Sequence, residues 1–415
     1  MQKFEAVATP MKTSIESIQV VNQTDLNDFS TLREIRPSQV FSDEGLEYLD
    51  ELSKLLIKDS SIREYPDVAT FAFYCRKANL INLRNAFLKE GRIKVGRGII
   101  FHIAPSNVPV NFAYSLVAGL LSGNANVIKI PSGNFQQVDM IVSAINKLSM
   151  VQKYRLISEK IILVKYSREN VSATKLLSGI CNVRVIWGGD KSIESVRRNE
   201  LQPRAFDITF SDRYSLCVIN ADNYIHEKSP RKIADGFYND TYLFDQNACT
   251  SPHLIVWLGL KENVKKSQSI FWGSLHELVK EKYMLDPIQA IDKVSQFYNQ
   301  SLSGIGASKV EAEDNLIWRI QPDKIDSSIE EFRCIGGYFN EYHASSISEI
   351  ANLANTKYQT MSYYGLSRTE LESFVFLDNP MGIDRIVPIG KTMDFSLIWD
   401  GYDLISSLSR EVEII

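Results

Sequence analysis

Gly98-Ile99-Ile100-Phe101-His102-Ile103-Ala104-Pro105-Ser106-Asn107-Val108-Pro109 is the stretch on which the fold turns. An apolar run of strand length breaks into a polar, proline-flanked turn. An apolar helical pattern then runs from Asn107 to Leu121 and closes at Gly123. The same unit repeats toward the carboxyl end. Asn126–Ile130 reads as a strand and Gln136–Lys147 as a helix. Ile161–Val164 is a strand followed by a helix from Asn170, and Val183–Trp187 is a strand followed by a helix through Arg198. Strands alternating with helices predict an α/β fold, a parallel sheet covered on both faces. Such sheets bind ligands at the carboxyl ends of strands, where helix amino-termini point.

Working outward to the amino side, residues 1 to about 40 are polar and weakly periodic and read as an arm or a strand wrapping the body. Ser42 and Asp43 cap a helix whose apolar face is Leu46, Leu49, Leu52, Leu55 and Leu56. Pro66 suits the first turn of a helix to Leu88. Toward the carboxyl side, a second unit starts at Ile208, with a strand over Ser215–Ile219 and a helix over Pro230–Phe244. Helices are predicted over 261–284, 287–299 and 346–355. The strand-like tail, Ile386–Gly390 and Asp394–Gly401, is of a type that pairs with another subunit. The divisions expected are 1–95, 96–207, 208–385 and 386–415.

The 415 residues imply two domains, and the net charge of −4 gives no electrostatic case for nucleic acid or an anionic membrane. Five scattered cysteines form neither a disulfide framework nor a zinc pattern. No apolar run reaches signal-peptide length at the start or membrane-spanning length elsewhere, so a cytoplasmic protein is expected.

Four features could carry chemistry. Two prolines around Asn107 can aim its amide outward from a strand end, although asparagine is also an ordinary helix cap. Lys129 ends an apolar strand, which suits an anionic or polyhydroxylated ligand, or a lysine emerging into solvent. Gly188-Gly189 between strand and helix can admit a phosphate or simply make a turn. Phe244-Asp245-Gln246-Asn247-Ala248-Cys249-Thr250-Ser251-Pro252-His253 holds a cysteine in a polar turn, a nucleophile or a small buried hydrophobe. His253 reads as a pocket or surface histidine, because on a strand it stands roughly 10 Å or more from Cys249. His102 reads as a satisfied core residue. Cys75, Cys181, Cys217 and Cys334 read as packing residues, and Trp187 and Trp257 as core.

Pro105-Ser106-Asn107-Val108-Pro109, Lys129, the Gly188-Gly189 turn and Cys249 after Gln246 stand in the order found in the aldehyde dehydrogenase superfamily. Asn247–Pro252, Gln359-Thr360-Met361-Ser362-Tyr363-Tyr364-Gly365-Leu366, Arg385–Gly390 and Trp399-Asp400-Gly401 resemble the bioluminescence-type acyl-CoA reductases, the fatty-acid reductases. The resemblance runs from about residue 96 to the carboxyl end. It implies an aldehyde dehydrogenase-like fold: a Rossmann-type cofactor domain, an α/β catalytic domain and a carboxyl-terminal oligomerisation strand. It implies Cys249 as nucleophile, Asn107 and the Cys249 amide as oxyanion donors, and Ser106, Lys129, Ser132, Gly188, Gly189 and Arg333 at the cofactor.

This chain departs from the superfamily pattern in ways that bear on its chemistry. Where hydrolytic relatives carry a glutamate base, this chain has Thr209-Phe210-Ser211-Asp212-Arg213-Tyr214. Without a base to activate water, an S-acyl enzyme lasts long enough to be reduced. Ser132 stands where NAD-preferring relatives often hold the ribose with a glutamate, which favours NADP(H). Arg333 replaces another superfamily glutamate. The thiol, near its reference pKa of about 8.5, would be aided by the positive ends of helices. The expected activity is NADPH-dependent reduction of an acyl-CoA or acyl-protein thioester to a fatty aldehyde. The expected partners are an acyl-protein synthetase and further copies of the chain, and no metal is expected. The alternatives are an acyl-phosphate reductase of the glutamyl phosphate reductase type, or a redox-inactive acyl-transfer or binding protein.

Overall fold

A computed structural model describes residues 18–22, 28–89, 91, 93–106 and 108–415, in two compact units. The first comprises residues up to Ser211 together with Tyr402–Ile415, and the second Asp212–Gly401. The division expected at 207/208 therefore falls after Ser211. Phe206–Phe210 pairs with Val183–Trp187 as one more strand of the first sheet. The tail expected as one segment from 386 is split, because its last part returns to the first unit.

In the first unit, β1 (Gln19–Val20) precedes three helices, α1 (Asp43–Lys58), α2 (Pro66–Tyr74) and α3 (Lys77–Leu88). Ser42 caps α1 through the Gly45 amide, and Leu46, Leu49, Leu52 and Leu56 are buried as their spacing requires. The single helix predicted over 66–88 is two. The Asn79 side chain bonds the Tyr74 carbonyl and Asp50 accepts from the Lys77 amide, so partners outside the helix break it at Cys75–Arg76.

The sheet of this unit contains β3 (Ile99–Ile103), β4 (Ala125–Lys129), β5 (Ile161–Lys165), β6 (Val183–Trp187) and β7 (Phe206–Phe210), in the order β1-β5-β4-β3-β6-β7. All pairs are parallel except β1 on β5. Its helices are α4 (Asn111–Leu121), α5 (Gln136–Ser149), α6 (Val171–Ile180) and α7 (Asp190–Arg197). Helix α4 starts later than predicted, since Pro109 keeps Val108 out of helical conformation. The chain runs from β3 out to β5 and then crosses to β6, which puts the topological switch point between β3 and β6. A last strand, β15 (Ser409–Glu411), pairs antiparallel with β2 (Lys94–Gly96) of the same chain.

The second unit has its own sheet, in the order β10-β11-β12-β9-β8-β13-β14. Its strands are β8 (Tyr214–Asn220), β9 (Pro252–Leu258), β10 (Ser308–Lys309), β11 (Trp318–Gln321), β12 (Tyr338–His343), β13 (Tyr358–Tyr364) and β14 (Arg385–Pro388). Strand β9 is buried along its whole length, as a continuous apolar run in a parallel sheet should be. Helices α8 (Pro230–Thr241) and α9 (Lys261–Lys282) pack Phe237, Phe271 and Trp272 against Trp257 and Phe339. Helix α10 (Pro287–Ser301) follows. Among the described residues no helix is long and apolar enough to cross a membrane, and no group of residues could hold a metal ion.

Arg184 on β6 is 1% exposed. It donates to both oxygens of Asp207 at 2.7 and 3.0 Å, to Ser178 Oγ at 2.8 Å and to the Asn199 carbonyl at 3.0 Å. Arg184→Ala leaves the Asp207 carboxylate with Arg197 at 3.5 Å and strips the buried bonds to Ser178 and Asn199, and the expected loss is about 3 kcal/mol of unfolding free energy. Urea denaturation measures it, and a loss below about 1 kcal/mol would show that solvent already screens the pair.

Candidate active site

Sheet register brings the first unit's predicted residues to one edge. Ile103 of β3 lies opposite Lys129 of β4 and Ile186 of β6. Ser106, Ser132 and Gly189 each follow one of these paired residues by three positions, so all three stand just beyond the strands' carboxyl ends. Ser106 and Ser132 are exposed there. Gly189 has an ordinary φ of −65° and nothing within 4 Å of a built Cβ, so neither backbone strain nor packing demands glycine. Asn107 lies outside the described residues.

Lys129 Nζ sits 4.3 Å from the Tyr166 ring centroid. Burial, and then the like charge of Arg168, lower its pKa. Arg168, which the sequence reading missed, bonds Ser192 Oγ at 3.0 Å in the first turn of α7. The Glu169 carboxylate acts on Lys129 in the opposite sense, so two cations and one acid share this edge. The available signal was position, because Arg168 lies just past β5 as Ser132 lies past β4. The reading of His102 and Trp187 as core residues agrees with their contacts. His102 meets Ser115 Oγ at 2.7 Å and Asn126 Oδ1 at 3.1 Å, and Trp187 stacks on Phe210 with centroids 3.7 Å apart.

In the second unit, Cys249 is exposed in the turn immediately before β9. Asp245 and Gln246 both take left-handed backbone conformations, with φ of 52° and 62°. The buried Gln246 amide holds that turn. Its Nε2 donates to the Pro252 and Tyr338 carbonyls at 2.9 and 3.1 Å, and its Oε1 accepts from the Gly337 and Tyr338 amides at 3.0 and 3.1 Å. Gly337, at φ 90°, permits this approach, since a Cβ there would meet the Tyr242 hydroxyl and the Leu316 carbonyl. Ser215 Oγ donates to the Cys249 carbonyl at 2.6 Å, and Asp240 accepts from the Gly390 and Thr392 amides at 2.6 and 3.0 Å.

Two of the departures noted in the sequence meet in space. Arg333 is ion-paired with Asp212 and donates to the Arg213 carbonyl at 2.9 Å. Arg213 in turn pairs with Asp384 and lies 3.9 Å from Asp400. Asp400, bonded by the Gln359 amide, has its pKa pushed up to about 6, chiefly by burial. These charges reach the thiol. Desolvation raises the Cys249 pKa, the Arg213 amide opposes this through a hydrogen bond, and Asp212 and Asp400 add to the rise. The side chain still touches solvent, which screens part of the effect. The thiolate is thus disfavoured, contrary to the expected help from helix ends. The element that follows the turn is a strand, with no helix amino-terminus at Cys249.

His253 is buried rather than at the surface, stacked on Tyr214 with centroids 5.8 Å apart. Burial, and then the Arg333 charge, push its pKa down to about 3, so the ring stays uncharged at neutral pH and is a poor base. Cys75, Cys181 and Cys217 are buried, whereas Cys334 is half-buried beside Arg333. Trp257 is buried, with its indole N–H bonded to Glu341 at 2.9 Å.

A thiol with a raised pKa predicts a particular reactivity. Iodoacetamide labelling of Cys249, followed by peptide mass spectrometry, should be slower at pH 7 than that of a small free thiol. It should rise about tenfold per pH unit through pH 8.5. A plateau near neutral pH would contradict the electrostatics described.

Comparison with known proteins places this geometry in context. The chain is similar to the long-chain acyl-protein thioester reductase of Vibrio harveyi, 23% identical over 346 residues, covering 80% of this chain and 68% of that one. It is also similar to that of Photorhabdus laumondii, 25% identical over 326 residues, covering 77% and 63%. Across the curated relatives it matches, the chain spans from about a third to about two thirds of their length. Among solved structures, an NAD-dependent benzaldehyde dehydrogenase from Corynebacterium glutamicum superposes with a TM-score of 0.59 at 15% identity, covering 89% of this chain and 84% of that one. At that identity the likeness shows an aldehyde dehydrogenase-like fold. The family model described as acyl-CoA reductase (LuxC) matches residues 88–411, most of the chain, and the protein belongs to that family.

Proposed function

We propose that this chain reduces long-chain acyl thioesters, acyl-CoA or acyl-protein, to aldehydes with NADPH, through an S-acyl intermediate on Cys249. The observation that carries the reading is the Arg333–Asp212 pair beside the exposed Cys249. The one acid in the segment that lacks the superfamily glutamate is tied up by a cation. It is a poor base for water, which favours acyl transfer over hydrolysis.

Cys249 Sγ attacks the thioester carbonyl carbon, the original thiolate leaves and takes up the cysteine proton, and the acyl group stays on Sγ. Asn107 and the Cys249 amide are the proposed donors to the carbonyl oxygen. The Ser215 bond to the Cys249 carbonyl fixes the peptide that precedes the second donor's neighbour, Thr250, and so limits rotation of the turn. Asp400, whose pKa burial raises to about 6, is the proposed acid and base for the sulfur region. In the first unit, Ser106, Ser132 and the Gly188-Gly189 turn would hold the dinucleotide. Lys129 and Arg168 would face its 2′-phosphate. When bound, the nicotinamide supplies hydride to the acyl carbon. The resulting thiohemiacetal alkoxide would collapse with cleavage of the C–S bond, releasing aldehyde and the Cys249 thiolate, which takes a proton from solvent. The names of the curated relatives support a long-chain acyl-protein thioester as donor. An acyl-protein synthetase as the upstream partner and a cytoplasmic location fit the same proposal.

Incubation with radiolabelled acyl-CoA should give a label on the wild type that neutral hydroxylamine removes, and Cys249→Ala should neither label nor make aldehyde. Labelling of that variant would overturn the mechanism. For the cofactor, Lys129→Ala and Arg168→Ala should each raise the KM for NADPH by roughly 10–100-fold, the worth of one charge-assisted contact, with little change for NADH. Equal use of both cofactors by the wild type would refute the 2′-phosphate assignment.

A further inference from the structure

The backbone N–H of Arg213, just before β8, donates to the Cys249 thiol. The rest of Arg213 is committed elsewhere. Its Nε donates to the Lys357 carbonyl at 3.1 Å and its Nη2 to the Tyr358 carbonyl at 2.6 Å, at the start of β13. Nη2 also pairs with Asp384, and Nη1 lies 3.9 Å from Asp400. Two residues on, Ser215 Oγ holds the Cys249 carbonyl at 2.6 Å, so the start of β8 is fastened to the turn from one side. Arg333 fastens the other side. Its Nη2 pairs with the Asp212 carboxylate, and its Nη1 donates to the Arg213 carbonyl at 2.9 Å. Along the chain, the Arg213 N–H lies between those two attachments. A planar guanidinium fork that holds both restrains the peptide group between them. The segment that carries Arg333 is itself bonded to the Cys249 turn. The Gly336 amide donates to the Asp245 carbonyl and the Gly337 amide to Gln246 Oε1, each at 3.0 Å.

We propose that Arg333 is a positioning residue for the nucleophile: by gripping Asp212 and the Arg213 carbonyl together, it keeps the Arg213 amide aimed at the Cys249 sulfur. This role rests on Cys249 being the nucleophile. The amide is a donor for an anionic sulfur, and a donor fixed in advance stabilises charge without reorganising. The charge of Arg333 acts in the same sense. Asp212, Asp400, Arg213 and Arg333 face the thiol, Asp384 stands behind on Arg213, and His253 is uncharged. Removing Arg333 leaves Asp212, Asp384 and Asp400 against Arg213 and frees the amide to swing, and both effects disfavour the thiolate. Clamp and charge are separable, because lysine keeps the charge and lacks the fork. The family resemblance sets Arg333 at the cofactor, whereas these bonds all lie within the second unit.

Iodoacetamide labelling of Cys249 in the full chain, followed from about pH 6 to about pH 10 by peptide mass spectrometry, reads the thiolate directly. Arg333→Met should move the midpoint of the profile up by about one pH unit, roughly a tenfold loss of rate below it. Arg333→Lys should recover only part of that, labelling about threefold slower than the wild type, the worth of one hydrogen bond. It keeps a charge opposite Asp212 and so carries the test should Arg333→Met fail to fold. Asp212→Asn removes the acid but leaves an oxygen for Arg333, and should label faster than the wild type. Adding Arg333→Met to Asp212→Asn frees no acid, so a further loss of about threefold or more reports the clamp. Arg333→Lys labelling as fast as the wild type overturns the proposal, because charge then accounts for the whole effect. So does a double variant as fast as Asp212→Asn, or an unchanged profile for Arg333→Met. Labelling needs neither acyl donor nor cofactor, so its outcome is read apart from that of the acyl-reductase reading, which Cys249→Ala tests.

Discussion

One buried amide holds the Cys249 turn in place. Two successive left-handed residues, Asp245 and Gln246, reverse the chain just before Cys249, a conformation that non-glycine residues adopt at a cost. The Gln246 side chain offsets that cost by replacing backbone pairing for four groups at once, two carbonyls and two amides from the turn and the start of β12. A second clamp comes from Asp245, whose carbonyl accepts the Gly336 amide at 3.0 Å and whose side chain accepts the Tyr283 hydroxyl at 2.7 Å. Cys249 can be exposed and still be fixed because the residues before it are pinned on both sides.

The electrostatics around the thiol favour its neutral form. Hydrolytic chemistry needs a free carboxylate to activate water, and here Asp212 is bound by Arg333. Asp212 in one segment and Arg333 in another form a pair across 121 positions of sequence. Neither change is informative alone. Together they put a cation on the one acid of that segment while Cys249 stays exposed. Asp400 adds a buried acid that titrates near pH 6, tied to Gln359 on β13.

Much of the fold was legible because burial imposes periodicity. The runs that became β3, β4, β5, β6 and β9 are continuous and apolar, which a parallel sheet covered on both faces requires. Errors fell where the deciding partner was distant in sequence. Asn79 and Asp50 broke a helix that local pattern made continuous. Strand β7 joined the first sheet by pairing with β6, which moved the boundary past Ser211. His253 was buried by its stacking on Tyr214, a contact that no local pattern announces. Helix α10 has the amphipathic period expected of any surface helix, and only its contacts reveal that the polar side faces in.

Sequence by itself determined most element types, the order of the motifs and the place of Cys249 in a polar turn before a strand. Each of these follows from local spacing and from residue chemistry that spacing alone expresses. Tertiary structure decided the state of that cysteine and what surrounds it. The thiol's raised pKa, the Arg333–Asp212 pair, the Lys129–Arg168 edge and the outward face of α10 depend on distances between residues far apart in the chain. Charge interaction and burial vary with distance in space, and a linear pattern does not carry that distance.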